Sequence, residues 1–165
     1  MTAGSRVRAC VRALSDRILA GPTATAALLD WCEFRGIASG PIRVVQRQVE
    51  RPPGPGPDLI ALLALEPGER LDYRSVQLLR GDVPLAWAEN WLVPGRLPDG
   101  INRALATSDV PFGEVVAPLR PRRRNLGVRF TGEGATVLEH EAMLSDRHGL
   151  PLCLVHERYL EVLLG

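Results

Sequence analysis

Tyr73-Arg74-Ser75-Val76-Gln77-Leu78-Leu79-Arg80-Gly81-Asp82-Val83-Pro84-Leu85-Ala86-Trp87-Ala88-Glu89-Asn90-Trp91-Leu92-Val93-Pro94 reads as two extended runs joined by a turn. Arg74 shares parity with Val76 and Leu78, so strand alternation points it to the apolar side with them. The turn falls at Arg80-Gly81-Asp82-Val83-Pro84. The return run from Leu85 to Val93 sets Trp87 and Trp91 on one face and Ala86 and Ala88 on the other. This is a β-hairpin carrying an arginine on its core-facing side. A guanidinium keeps its charge inside a protein, so Arg74 calls for an anionic partner, either a carboxylate of the chain or a ligand.

Working outward, Val7, Cys10, Val11, Leu14 and Ile18 recur at helical spacing and predict an amphipathic helix from about Ser5 to Ala20, ended by Gly21-Pro22. A second helix starts near Thr23 or Thr25 and runs to about Phe34. Ile42 to Glu50 is expected as a first strand. Arg51 to Pro57 is a Pro/Gly connector within one fold, and Asp58 is the expected N-cap of a short helix, Leu59 to Leu65. Beyond the hairpin, Leu97 to Ala106 and Pro111 to Ala117 read as two short helices. Strands are expected near Leu126 to Phe130, Val137 to Leu144 and Leu152 to Val162, the last two joined around Ser145 to Gly149. A weak echo between Gly81-Asp82-Val83-Pro84-Leu85 and His148-Gly149-Leu150-Pro151-Leu152 fits two equivalent hairpins in one sheet. The expected class is α+β, a single domain over residues 1–165 with an antiparallel sheet and helices on one side.

At 165 residues and 18.0 kDa the chain can enclose a real core and an internal cavity. A net charge of +1 gives no overall pull toward nucleic acid or anionic membrane. All twenty basic residues are arginine, which excludes Schiff-base chemistry on a lysine and a P-loop lysine. Cys10, Cys32 and Cys153 lie far apart, with no metal-ligand spacing to His140, His148 or His156. No metal or other cofactor is expected, and the cysteines read as buried thiols in a reducing, cytoplasmic setting. Arg6, Arg8, Arg12 and Arg17 interrupt any secretory h-region, and no later run approaches a membrane span. The dense basic run Arg120-Pro121-Arg122-Arg123-Arg124 lacks interleaved aromatics and reads as a solvated turn rather than a nucleic-acid site.

The order of Arg74, the Gly81 to Pro84 turn, Pro94, Pro111-Phe112-Gly113 and Glu157, with Leu28-Leu29-Asp30-Trp31 upstream, resembles chorismate pyruvate-lyase and the wider chorismate lyase/UTRA superfamily. The resemblance implies a helical flap, formed by the two short helices, over an internal ligand cavity. It further implies a cofactor-free lyase that splits chorismate into 4-hydroxybenzoate and pyruvate. Arg74 would then anchor a small-molecule carboxylate by its planar fork. Phe112 and Gly113 would offer backbone N–H groups, and Glu157 would handle the proton. The family pattern has one residue fewer between the proline and the glutamate, so His156 competes for that position unless a bulge restores Glu157.

Other readings of the same residues stand beside these. Arg74 could form an ion pair with Glu89, Glu139 or Glu141, and Glu157 a solvated pair with Arg158 or Arg129. His140 shares a face with Leu138, Ala142 and Leu144, as a hydrogen-bonded core residue or as a ligand contact. Pro111 at a helix start needs no function. Trp31, Trp87 and Trp91 read as core or cavity wall. UTRA domains of bacterial regulators share the fold and bind effectors without transforming them, which gives the rival reading of a non-catalytic binding module. The residues before Pro52 look too few for the winged helix that normally precedes such a module.

Overall fold

A computed structural model describes residues 3–50, 56–131 and 134–165. The helices are α1 (Ala3–Ala20), α2 (Ala24–Arg35), α3 (Pro57–Leu62), α4 (Asp99–Thr107) and α5 (Phe112–Val116). The strands are β1 (Ile42–Arg47), β2 (Asp72–Arg80), β3 (Val83–Leu92), β4 (Arg122–Phe130), β5 (Thr136–Ser145) and β6 (Pro151–Leu160). They form one antiparallel sheet in the order β1-β2-β3-β6-β5-β4. The hairpins β2–β3 and β5–β6 meet at its centre through β3 and β6.

The single α+β architecture is as expected, and the hairpin keeps its parity, with Arg74 opposite Asn90, Val76 opposite Ala88 and Leu78 opposite Ala86. That face is covered by two helical layers. On one half, α1 and α2 bury Leu14, Ile18, Leu28 and Trp31 against Leu85, Leu138 and Tyr159. On the other, α4 and α5 bury Leu105, Val115 and Val116 against Leu92, Ala142 and Cys153. The alanines of β3 are too short to fill the gap between the layers, so a space remains over β1, β2 and β3. Close approaches fix the layers. A Cβ on Gly21 would lie 2.8 Å from that of Ala27 at the α1–α2 corner, and one on Gly113 would lie 3.4 Å from Thr23 Cβ between α5 and α2.

The start of α2 is as expected, and several other boundaries differ for identifiable reasons. Helix α2 is capped by Thr23, whose hydroxyl accepts from the Ala26 amide at 3.0 Å. Helix α3 begins at Pro57 after Gly56, so Asp58 lies in its first turn rather than at its N-cap. Its neighbour Leu63 packs with Leu59, Met143 and Leu154 on the opposite face of the sheet, which adds a small layer there. Strand β1 stops at Arg47, and residues 51–55 of the expected connector lie outside the described residues. Strand β4 begins four residues early, at Arg122, so Arg122 to Arg124 belong to an edge strand and not to a turn. Charged residues suit an edge because they deter pairing with other chains. The other edge is covered, as the Val44 amide donates to Asp109 O at 2.7 Å from the α4–α5 connector.

Candidate functional site

The space between the helical layers is a partly open cavity of about 290 Å³. Val76, Ala88, Asn90 and Val155 form its floor, and Thr23, Phe112 and Gly113 lie in its roof. As a helix start, Phe112 and Gly113 carry amides with no intrahelical acceptor. Arg123 and Glu157 form one polar wall.

Glu157 is on the cavity face because β6 carries an extra residue. Ser145 pairs with Pro151 whereas the adjacent Leu144 pairs with Cys153, so Leu152 bulges from the ladder. The bulge lies between Pro151 and Glu157. From Cys153 onward β6 pairs with β3 without interruption, setting Glu157 opposite Ala88. Glu157 Oε2 accepts from Arg123 Nη2 at 2.8 Å and from the Tyr159 hydroxyl at 3.0 Å. The expected partners of Glu157 are engaged elsewhere, Arg158 with Glu89 and Arg129 with Glu139.

His156 is on the opposite face and does not reach the cavity. Its ring lies between Glu139 Oε2, 3.0 Å from Nε2, and Glu89 Oε2, 3.5 Å from Nδ1. His140 has the cavity-face parity, yet it lies beneath α1 and does not line the cavity. Fully buried, it places Nε2 3.0 Å from Ser15 Oγ and its ring 5.5 Å from that of Tyr159, edge-on. His140 is thus a buried residue held through Nε2 and outside the cavity, with no partner for Nδ1 among the described residues.

Burial pushes the His140 pKa below its ordinary value of 6.5. The unfolded chain therefore takes up a proton near pH 6.5 that the folded chain refuses, and stability falls as pH drops below that value. The slope contributed by this one group reaches about 1.4 kcal/mol per pH unit. Chemical denaturation of wild type and His140→Gln between pH 7.5 and 5 should show the variant losing less stability on acidification; parallel curves would remove His140 from the acid response.

Arg74 is 8% exposed and has no carboxylate partner among the described residues. Its Nε donates to Leu105 O at 3.1 Å and its Nη1 to Asn90 Oδ1 at 3.4 Å, while Nη2 has no partner. Two other buried arginines show what compensation looks like. Arg80 donates to two carbonyls and meets Glu33 at 3.4 Å; Arg96 donates to three carbonyls and pairs with Glu69. Glu89, Glu139 and Glu141 have the opposite parity, which excludes them as partners of Arg74. Burial lowers the Arg74 pKa, although guanidinium remains charged.

Arg74 borders the cavity through Asn90 rather than lining it. Its own side chain lies in an adjoining open groove of about 940 Å³, with Gln46, Asn102 and Leu105. The sequence reading missed Asn90 and Arg123. Asn90 could have been found as the cross-strand neighbour of Arg74. Among the described residues no three His, Cys, Asp or Glu side chains cluster to hold a metal, and no helix is long and apolar enough to cross a membrane.

No family model matches the chain. The effector domain of PhnF from Mycobacterium smegmatis superposes with a TM-score of 0.58 at 10% identity, covering 86% of this chain and 90% of that one. The ligand-binding domain of a Bordetella bronchiseptica protein assigned to the GntR family of transcriptional regulators gives 0.53 at 14% identity, over 76% and 87% of the two chains. A GntR family regulator from Bacillus cereus gives 0.50 at 12% identity, over 73% and 92%. These likenesses establish the UTRA-like, chorismate lyase-like fold. In sequence, the uncharacterized protein y4mC of Sinorhizobium fredii (strain NBRC 101917 / NGR234) is 32% identical over 180 aligned positions, spanning 94% of this chain and 76% of that protein. On that identity and coverage, the chain belongs to the y4mC family, built on the UTRA-like fold.

Proposed function

We propose that this chain is a small-molecule-binding domain that takes a compact carboxylate-bearing ligand, its body in the cavity under α2 and α5 and its acidic group on Arg74. The observation that carries this reading is Arg74, buried against neutral acceptors with one guanidinium nitrogen unpartnered, in a groove that adjoins the cavity at Asn90. An incoming carboxylate supplies the missing charge by displacing Asn90 Oδ1 or Leu105 O. The amides of Phe112 and Gly113 and the Arg123–Glu157 pair supply further polar contacts. The ligand-binding and effector domains that share the fold support the binding reading.

A second reading, a lyase producing 4-hydroxybenzoate and pyruvate from chorismate, is favoured by the placement of Glu157 in the cavity. Against it, Glu157 Oε2 already accepts from the Arg123 guanidinium and the Tyr159 hydroxyl, so this oxygen is engaged within the wall. Incubating the purified chain with chorismate and assaying 4-hydroxybenzoate separates the two, with calorimetry on a panel of small carboxylates run alongside. Binding without turnover is expected; turnover would establish the lyase, and neither would remove both.

Ala88→Leu tests the cavity itself. The added side chain should fill the floor between Val76 and Glu157, weakening ligand binding while raising stability by about 0.5–2 kcal/mol. Undiminished binding by a folded variant would place the ligand outside this cavity.

A further inference from the structure

The last carbonyls of α4 are satisfied in two different ways. Arg103 O and Ala104 O accept from side chains of the segment itself, the Thr107 hydroxyl at 2.8 Å and the Ser108 hydroxyl at 2.7 Å. Leu105 O and Ala106 O depend on the sheet. Gln46 Nε2 donates to both at 3.0 Å, and Arg74 Nε adds its bond to Leu105 O. The C-terminal end of a helix carries partial negative charge. The carbonyl end of α4 thus faces Arg74 beside the neutral Asn90 Oδ1, and Arg74 in turn holds the helix end to the sheet.

Building on the binding reading above, we propose that an acidic ligand and the C-terminal turn of α4 compete for Arg74, so that binding releases this turn from the sheet. A carboxylate can meet a guanidinium by two bonds only along its Nε–Nη2 edge or its Nη1–Nη2 end. The first displaces Leu105 O directly. The second displaces Asn90 Oδ1 and leaves an anion beside the carbonyl end of α4, where like charges repel. Both weaken the same attachment. Gln46 then sets how easily the turn is released, because it holds Leu105 O, which Arg74 also holds, together with Ala106 O. The α4–α5 connector follows directly and contains Asp109, whose carbonyl accepts from the Val44 amide at the β1 edge. Release of the α4 turn thereby reaches an exposed margin of the domain and offers a signal of occupancy.

Amide hydrogen exchange of residues 103–108 tests this, with benzoate and inorganic phosphate as probes and calorimetry to establish binding. Benzoate should accelerate exchange in this segment of wild type by about fivefold or more while leaving β2 and β3 protected. Gln46→Ala, a change at an exposed residue, should accelerate the same amides without any probe and tighten benzoate binding by roughly threefold to tenfold. Arg74→Met should show fast exchange that benzoate no longer alters. Phosphate acting like benzoate would widen the ligand class to oxyanions, and benzoate acting alone would keep it to carboxylates; both outcomes uphold the competition. Benzoate binding with unchanged or slowed exchange at 103–108, or a Gln46→Ala variant with wild-type exchange, would overturn the proposal and leave the binding reading intact. Failure of both probes to bind wild type would remove the binding reading and this proposal together.

Discussion

Arg74→Met should lose small-carboxylate binding while the protein remains folded. The side chain is buried, its charge meets two neutral acceptors, and no carboxylate of the described chain faces it. Removing a desolvated, charge-assisted contact to the ligand weakens binding by roughly 2–5 kcal/mol. Stability responds differently. Breaking an internal buried ion pair would strand a carboxylate, but here the variant leaves only Leu105 O and Asn90 Oδ1 short of a donor. Leu105 O keeps Gln46, and Asn90 keeps its own bond from Nδ2 to Glu89 O at 3.1 Å. The loss of a buried uncompensated cation offsets those deficits, so the denaturation midpoint should move little or rise. Calorimetry and denaturant melts on the same preparation give both numbers. Wild-type affinity in the variant would end the anchor assignment, and a collapse of folding would show Arg74 to be a structural tie of α4.

The face that carries Arg74 was legible from parity alone, because β2 pairs with β3 without interruption from Asp72 to Leu78 and a two-residue period leaves only two choices. The exclusion of Glu89, Glu139 and Glu141 as its partners follows from the same period once their strands pair. The choice between His156 and Glu157 could not be read that way. Leu150-Pro151-Leu152-Cys153-Leu154-Val155 is an unbroken apolar run, so it gives no phase, and the bulge at Leu152 leaves no local signature. Arg123 was hidden for the opposite reason: β4 is an exposed edge strand whose start is almost wholly charged, and without apolar alternation it resembles a turn. His140 shows a third limit. Alternation assigned its face correctly, but which helix covers which half of a face is settled by packing between distant segments, here the bond of His140 to Ser15 across 125 residues.

Glu157 decides how far the cavity resembles that of a lyase, and Glu157→Gln should have the larger effect on stability. Both members of its pair are mostly buried, with side-chain exposures of 16% for Glu157 and 24% for Arg123. The amide keeps the shape and can still accept one bond, but Arg123 loses its counter-charge in a half-enclosed wall. A loss of about 1–3 kcal/mol is expected, below that of a fully buried pair because part of the guanidinium reaches solvent. Arg123→Met should cost a similar amount, and the double variant less than the sum, since the second change removes a group already left unpaired. Additive losses would show that the pair contributes no coupling. The same variants separate the two chemistries. In a lyase, Glu157→Gln removes a proton acceptor or relay and suppresses formation of 4-hydroxybenzoate, whereas His156→Gln, on the other face between Glu89 and Glu139, leaves turnover intact. In a binding domain, Glu157→Gln changes affinity without any turnover to lose, and because it removes a negative charge from the wall it should strengthen the hold on an acidic ligand. A rise in carboxylate affinity alongside a fall in stability is therefore the result that fits the proposed function; a fall in both would mean that Glu157 holds Arg123 in place for the ligand.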